Sequence, residues 1–515
     1  MSTRFIFGIA AIAVSASVAV PAYADLTAQQ AWDAASRFYK TAGYKIVIGQ
    51  KTASDGVLTL NNVTMTQEMP NGLGQIRITF DWLKAKEVDG GTVEITMAPT
   101  IGINAKTNGE EGPYGRKPGS YRAHLLMTGF RTLVSGNPDD ISIDSTVPQA
   151  VLVMDELSPN GHSVPVKSNF VIKDFSSQYA YQPPADGKLE HSNGTTSIAS
   201  ITGDFRVDNP NAPEFVSVAA SLADLSYGFT AAMPDFAKYD PGDRMFGLSL
   251  LKDGMSVEAS GIIGKTSISV VTSLRSGNSD YYLASADTRL GLALSKERLR
   301  YDISAGNLKI NVQSPDLPVP DFKLALDKLS VDVLLPFAQK SAPADFKVDF
   351  AARGLSASDS LWAMFDPNKV LSHDPITVAV SLSGKVMVLM DMMDKRALMQ
   401  ANGPPWVPTA INLDELTISA LGVLLTGKGS FKGDLGSGKT MDGLPVPVGS
   451  VNLDLKGAFG LIDKLIGMGL VQSDQAMGIK GMLAAFARPV DEDHFASKIE
   501  VTEDGAVLAN GQRIR

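Results

Sequence analysis

The residues best spaced for chemistry run from Gly433 to Thr440, Gly-Asp-Leu-Gly-Ser-Gly-Lys-Thr, a formal match to the phosphate-cradling P-loop. That chemistry needs a preceding strand, amides that surround the phosphate, and a helix whose N-terminus faces the anion. Here Gly433, Gly438, Lys439 and Thr440 lead into Met441-Asp442-Gly443-Leu444-Pro445-Val446-Pro447. Two prolines at alternate positions forbid that helix, since each lacks an amide donor and fixes φ. The stretch reads as a hairpin loop and a decoy, and no cofactor is assigned to it.

Other chemistry is equally thin. The five histidines, His124, His162, His191, His373 and His494, fall in no His-x-x-x-His frame, so a helical metal site has no ligands to name. Asp491-Glu492-Asp493-His494 is the densest ligand-like cluster, but consecutive acids in a loop are usually solvated. Asp139 and Asp140 follow Asn137-Pro138 and read as turn residues. No Gly-x-Ser-x-Gly elbow offers a nucleophile. No catalytic or metal residue is assigned, and the chain reads as a non-enzyme. Methionines crowd residues 387–399 and recur at Met468, Met477 and Met482. Thioether side chains adapt to irregular apolar shapes, and core gap-filling is the simpler use.

Composition narrows the classes further. Lys plus Arg number 46 against 55 Asp plus Glu, a net charge of −9, which disfavours a nucleic-acid partner. The absence of cysteine removes disulfides, thiolate catalysis and Cys-ligated metals. Hydrophobic residues at 44% and charged residues at 20% argue for a folded chain, and 515 residues exceed one ordinary core. Arg4 precedes an uncharged stretch from Phe5 to Ala24 that contains Pro21 and ends in Ala22-Tyr23-Ala24. A basic start, an apolar centre and a small-x-small end predict a signal peptide over 1–24, cleaved after Ala24. The mature chain is then expected in the periplasm, with no transmembrane segment.

The elements that would position any site are mostly strands. Thr27-Ala28-Gln29-Gln30 has the form of a capping box, and Ala28, Ala31, Trp32, Ala35, Phe38 and Tyr39 recur at helical spacing, so a helix is expected over 27–40. Afterwards the period becomes two: Ile76/Ile78/Phe80/Trp82 and Val93/Ile95/Met97. Five alternating segments follow: Leu290/Leu292/Leu294, Leu299/Tyr301/Ile303, Leu308/Ile310/Val312, Phe322/Leu324/Leu326 and Leu329/Val331/Val333. Turn residues such as Ser304-Ala305-Gly306-Asn307 separate some of them, which predicts an antiparallel meander. Residues 376–382, 411–418 and 451–455 continue it. Helices are expected at 358–366, 390–401, 458–471 and 474–487, and exposed loops at 105–120 and 182–196. Asp504-Gly505 between Val501 and Val507 predicts a terminal hairpin over 498–509, with the helical pair (Leu461, Leu465, Leu483, Phe486) as its cover.

The closing section has a layout of its own. Gly449-Ser-Val-Asn-Leu-Asp-Leu-Lys-Gly457 leads into Phe459-Gly-Leu-Ile-Asp-Lys-Leu-Ile-Gly-Met-Gly-Leu470, then Met482-Leu-Ala-Ala-Phe-Ala-Arg488 and Ile499-Glu-Val-Thr-Glu-Asp-Gly-Ala-Val-Leu-Ala-Asn-Gly-Gln512. This strand, helix–helix, strand, Asp-Gly, strand, Asn-Gly order resembles the exported bacterial family called domain of unknown function 2125. More distantly it resembles AsmA-type envelope proteins, whose β-rich bodies are implicated in lipid and outer-membrane homeostasis. The resemblance is one of pattern and implies no site residues.

The expected fold is mostly β (α+β): elongated, twisted antiparallel sheets or meanders with a few peripheral amphipathic helices. The expected organisation is a signal peptide (1–24), an N-terminal β-rich region (25–314) and a C-terminal β-rich region (315–515) with a helical pair at 458–487. A sheet with one apolar face must cover it with a sheet, with helices or with a bound hydrophobe. The expected function is a periplasmic envelope protein that binds or passes a lipid-like ligand along an apolar β-groove. An envelope scaffold working through protein contacts is the alternative, and an enzyme on envelope polysaccharide or lipid ranks third.

Overall fold

The computed structural model describes residues 26–515 apart from 42, 70–72, 109–117, 185–188, 236–237, 240–245, 320, 395–403, 434–439 and 442–443. The expected signal peptide therefore lies outside the described residues. Strand makes up 66% and helix 12%, so the protein is mostly β, as its alternation predicts. The chain divides into two compact units, one of residues up to Ala284 with Ser314–Asp316, the other of Ser285–Gln313 and Leu317–Arg515.

The first unit opens with α1 (Ala28–Thr41) and continues through β1 (Lys45–Ser54), β2 (Val57–Glu68), β3 (Gly74–Val88), β4 (Thr92–Met97), β5 (Thr100–Thr107) and β6 (Gly119–Thr128). Next come β7 (Arg131–Asn137), β8 (Asp140–Ser158), β9 (Val166–Gln182), β10 (Glu190–Asp208), β11 (Phe215–Met233), α2 (Phe246–Lys252) and β12 (Ser256–Leu274). The expected capping box is present: the Gln30 amide donates to Thr27 Oγ1, and the Thr27 amide donates to Gln30 Oε1. α1 buries Ala28, Ala31 and Trp32 against Leu58, Leu60, Leu83, Val93 and Val134, which makes the main core. Asn137 and Asp139 form the expected turn, with the Asp139 amide on Asn137 Oδ1.

Pairing in this unit is antiparallel, and the short strands work in tandem. β3 carries β5 along its first half and β4 along its second. β8 carries β7 and then β6 in the same way. β9, β10, β11 and β12 then follow in order. One feature crosses these ladders. Asn62, Asp174 and Asp224 have φ of 54°, 51° and 55°, inside strands whose register resumes unchanged on either side. At that row the alternation slips by one residue. In β2 the buried positions are Leu58 and Leu60, then Val63 and Met65. In β10, which has no residue of positive φ itself, alternate positions from His191 to Ala199 are exposed, then Thr202 and Asp204. A left-handed residue takes up one position without changing which face is buried, as a β-bulge does, and Asn and Asp tolerate that conformation best among residues with a Cβ.

β13 (Gly277–Leu294) carries the division between the units. The second unit holds β14 (Arg298–Gln313), β15 (Phe322–Pro336), β16 (Ala344–Ala357), α3 (Asp359–Trp362), β17 (Ile376–Val388), β18 (Trp406–Ala420), β19 (Val423–Gly433), and the two-residue strands β20 (Thr440–Met441) and β21 (Leu444–Pro445). β22 (Pro447–Lys456), α4 (Ala458–Gly467), α5 (Ser473–Phe486), β23 (Arg488–Asp491), β24 (His494–Val501), β25 (Val507–Ala509) and β26 (Gln512–Arg513) complete it. β14 to β19 form the expected meander, followed by β22 and β24.

Several expectations need correction. Ser304-Ala305-Gly306-Asn307 is no turn: it lies inside β14, where Asn307 has φ 49° and slips the alternation from Ile303 to Leu308. Leu326 and Leu329 likewise belong to one strand, β15, so the last four of the five alternating segments are two long kinked strands. Residues 390–394 are turn and bend rather than the start of a helix, with the Met393 amide on Asp391 Oδ1, and 395–401 lie outside the described residues. Of the two expected loops, 105–107 and 119–120 extend β5 and β6, and 190–196 opens β10 with Ser192 and Thr196 buried. The remaining helices stand, with 358–366 shortened to α3.

Candidate functional site

The register of the second unit lines apolar side chains into rows across the sheet. One row runs Ala305, Leu329, Ala352, Val378, Ile418, Leu425, Leu455, Phe495. The next runs Ile303, Val331, Phe350, Val380, Leu416, Gly427, Leu453. A third runs Tyr301, Val333, Val348, Leu382, Leu413. Directly opposed residues share a face, and positions two apart along a strand share it too, so the rows form one apolar surface. The bulge at Asp414-Glu415 keeps it continuous by slipping the pattern from Leu413 to Leu416.

This surface is only partly withdrawn from water. Tyr301, Val348, Phe350 and Ile418 are 41%, 39%, 42% and 37% exposed, although each lies within a paired strand of the sheet. The buried hydrophobic clusters found among the described residues belong to the first unit. Large apolar side chains, each more than a third exposed and gathered on one sheet face, make this surface the candidate site.

The opposite face is charged. Asp302, Asp332, Asp349, Ser381 and Glu415 form its central row. Lys347 Nζ reaches Asp332 at 2.9 Å and Asp349 at 2.5 Å, and Arg300 lies near Asp302. Hydrogen bonds that the Lys347 ammonium donates to Asp349 and then to Asp332 hold it above its usual range. Arg353 grips both oxygens of Glu415 at 2.9 and 2.7 Å, and this bond, first among several, holds the carboxyl below its usual range. A depression of about 590 Å3 beside it is lined by Thr417, Thr426, Lys428, Asp454 and Lys498 among others. Charge here is paired within the sheet, which suits a face held in water.

At one end the apolar rows meet helices. Phe495 is buried and its ring lies 4.7 Å from that of Phe459 in α4. Asp493 caps α4, accepting the Phe459 amide at 2.7 Å and the Gly460 amide at 2.8 Å, while His494 bonds Asp454 at 2.7 Å. The acidic cluster is thus only partly solvated: two of its four members hold the helix–strand junction, a role that local sequence does not signal, since Asp493 lies 34 residues beyond the Phe459 amide. The terminal hairpin is present, with Ile499 opposite Ala509 and Val501 opposite Val507. Phe486, expected to cover it, is exposed, and its carbonyl instead accepts from Ser497 Oγ and Asn510 Nδ2.

The residues singled out in the sequence do not converge. Gly433 ends β19, Gly438 and Lys439 lie outside the described residues, and Thr440 opens a strand that pairs Leu444–Pro445. His124 bonds Asp155 and His373 bonds Asp366, each far along the chain from the other. Among the described residues no three metal-ligating side chains gather.

An antiparallel, kinked sheet with one apolar and one charged face defines a β-rich protein. Residues 269–511, which contain the whole apolar surface, match the family described as "Uncharacterized protein conserved in bacteria (DUF2125)", the family that the C-terminal layout resembles. No curated protein and no solved structure matches the chain. Among the described residues no helix is long and apolar enough to cross a membrane.

Proposed function

We propose that this protein is a non-enzymatic component of the bacterial envelope, exported to the periplasm, that binds or passes a lipid-like ligand along the apolar face of β14–β19. The observation that carries the reading is that Tyr301, Val348, Phe350 and Ile418, from three adjoining rows of one sheet face, are each more than a third exposed. Burying a Phe or Val side chain fully is worth about 1.5–3 kcal/mol, so a ligand that completes several such burials gains affinity without any polar contact. An acyl chain has the required chemistry and length, because it can cross strands spaced about 4.8 Å apart. Native mass spectrometry of protein purified from its own envelope tests this. A stoichiometric lipid adduct that is lost in Phe350→Glu supports the reading; protein free of any adduct refutes it.

A further inference from the structure

A row of hydroxyls crosses the core face of the first unit. Thr132, Ser145, Ser177 and Thr196 stand directly opposite one another in β7, β8, β9 and β10. All four are buried, at 4%, 1%, 1% and 2% exposure. The rows on either side are apolar. Val134, Ile143 and Tyr179 belong to the main core, and Val147 and Phe175 belong to a second buried cluster. Thr132 Oγ1 and Ser145 Oγ are hydrogen-bonded at 2.7 Å. Ser177 Oγ, next in the row, is covered and has no hydrogen-bond partner among the described residues. Asp144 and Asp332 also carry one covered oxygen without such a partner, but both residues are only half-buried. A hydroxyl as deeply covered as that of Ser177 has lost its hydration, and a group of this kind in a folded core is ordinarily satisfied by an ordered water.

We propose that a water molecule binds between Ser145, Ser177 and Thr196 and completes a hydrogen-bonded belt across β7–β10. The site is independent of the function proposed above. Its spacing suits water. Opposed residues of neighbouring strands carry Cβ atoms about 4.5–5.5 Å apart, and two oxygens that share one water at about 2.8 Å each stand about 4.5 Å apart. A buried water takes two to four polar partners, and the three hydroxyls supply that number. Each hydroxyl has one donor and two acceptor positions, so Ser145 keeps capacity beyond its bond to Thr132. Every member of the row is closed to solvent, so the head group of a larger ligand has no way in. The belt is also tied to strand register, because a slip by one residue would turn a strand's hydroxyl to the opposite face.

High-resolution crystal structures of the wild type and of Ser177→Ala test the proposal. Wild type should show an ordered water within hydrogen-bonding distance of Ser177 Oγ and of Ser145 Oγ or Thr196 Oγ1, and the variant should lose it. Thermal melting adds a readout whose sign decides. If Ser177 holds a water, Ser177→Ala removes bonds that are made and should lower the midpoint by about 2–4 °C. If the hydroxyl is bare, the same change removes a covered polar group and should raise the midpoint or leave it unaltered. Ser176→Ala, on the exposed side of the same strand, controls for the exchange of serine for alanine and should melt as wild type does. A wild-type structure in which Ser177 Oγ meets no water, or has turned onto a protein oxygen, overturns the proposal. So does a Ser177→Ala protein that melts at or above the wild-type midpoint.

Discussion

Gly354 offers a test of the kinks that set which face is apolar. It sits in β16 with φ 71°, opposite Asp327 of β15, where the register passes from Lys328–Arg353 to Leu324–Ala357 without a shift. A Cβ built on Gly354 would stand 2.1 Å from Asp327 Oδ2, 2.6 Å from its Cγ and 3.0 Å from its Cβ. Rotating the carboxylate relieves the first two contacts; the third belongs to the Asp327 backbone position and stays. The left-handed conformation costs an Ala about 1–2 kcal/mol, and residual overlap of this size adds about 1 kcal/mol or more. Gly354→Ala should therefore destabilise the second unit by about 2–3 kcal/mol. With Asp327→Gly as the background the overlap disappears, and the same change should cost only about 1–2 kcal/mol. Urea unfolding in a Trp32→Phe/Trp82→Phe background leaves Trp362 and Trp406 as reporters of this unit. A Gly354→Ala protein within about 0.5 kcal/mol of its parent would mean that the strand does not need a left-handed residue there, and the account of the phase slip would fail.

Two further expectations concern the ends of the second unit. Truncation after Pro489 removes β24, the Asp493 cap and the Phe495 ring together, and should strongly destabilise this unit in thermal melts and limited proteolysis; Asp493→Ala alone should cost about 1 kcal/mol, as lost caps do. Asp366 is buried in a loop whose Val370 and Leu371 amides it accepts at 2.8 and 2.7 Å, with His373 Nε2 at 3.1 Å. Burial pushes its carboxyl upward, but the two amides and His373 outweigh this and hold it below the usual carboxylate range. A lowered folded-state value means stability that is present above the unfolded-state value and lost as pH falls through the folded one. Trp362, stacked on His373 at 4.2 Å, should report that loss by fluorescence during acid titration, and Asp366→Asn should flatten the response.

Much of this architecture is legible in residue patterns. The capping box at Thr27, the meander, the helical pair and the Asp-Gly hairpin all follow from local chemistry that tertiary packing leaves intact. The long strands of the first unit are harder to read because their alternation changes phase midway. In β10, Ser192, Gly194 and Thr196 face inward before the row and Ile201, Gly203 and Phe205 after it, so a fixed period of two matches neither half well. The same device in β14 mimics a turn, since Gly306-Asn307 is what a turn would use. α2 escapes notice because its seven residues make barely two turns. The apolar surface is implied by alternation alone, but its exposure is not: whether a sheet face is covered depends on partners distant in sequence. The Asp493 cap was hidden for the same reason, as it lies 34 residues beyond the amide it accepts.

The central claim concerns one face of one sheet, and neighbouring residues of β16 separate its two sides. Val348 opposes Val333 and Leu382 on the apolar face, and Lys347 opposes Leu334 and Ser383 while its ammonium joins Asp332 and Asp349 on the charged one. A photo-crosslinking amino acid placed at Val348 or at Lys347, activated in living cells, compares the two faces at nearly the same position. The account predicts a lipid-mass adduct at Val348 and none at Lys347. Equal labelling at the two positions, or lipid captured at Lys347 alone, would contradict it.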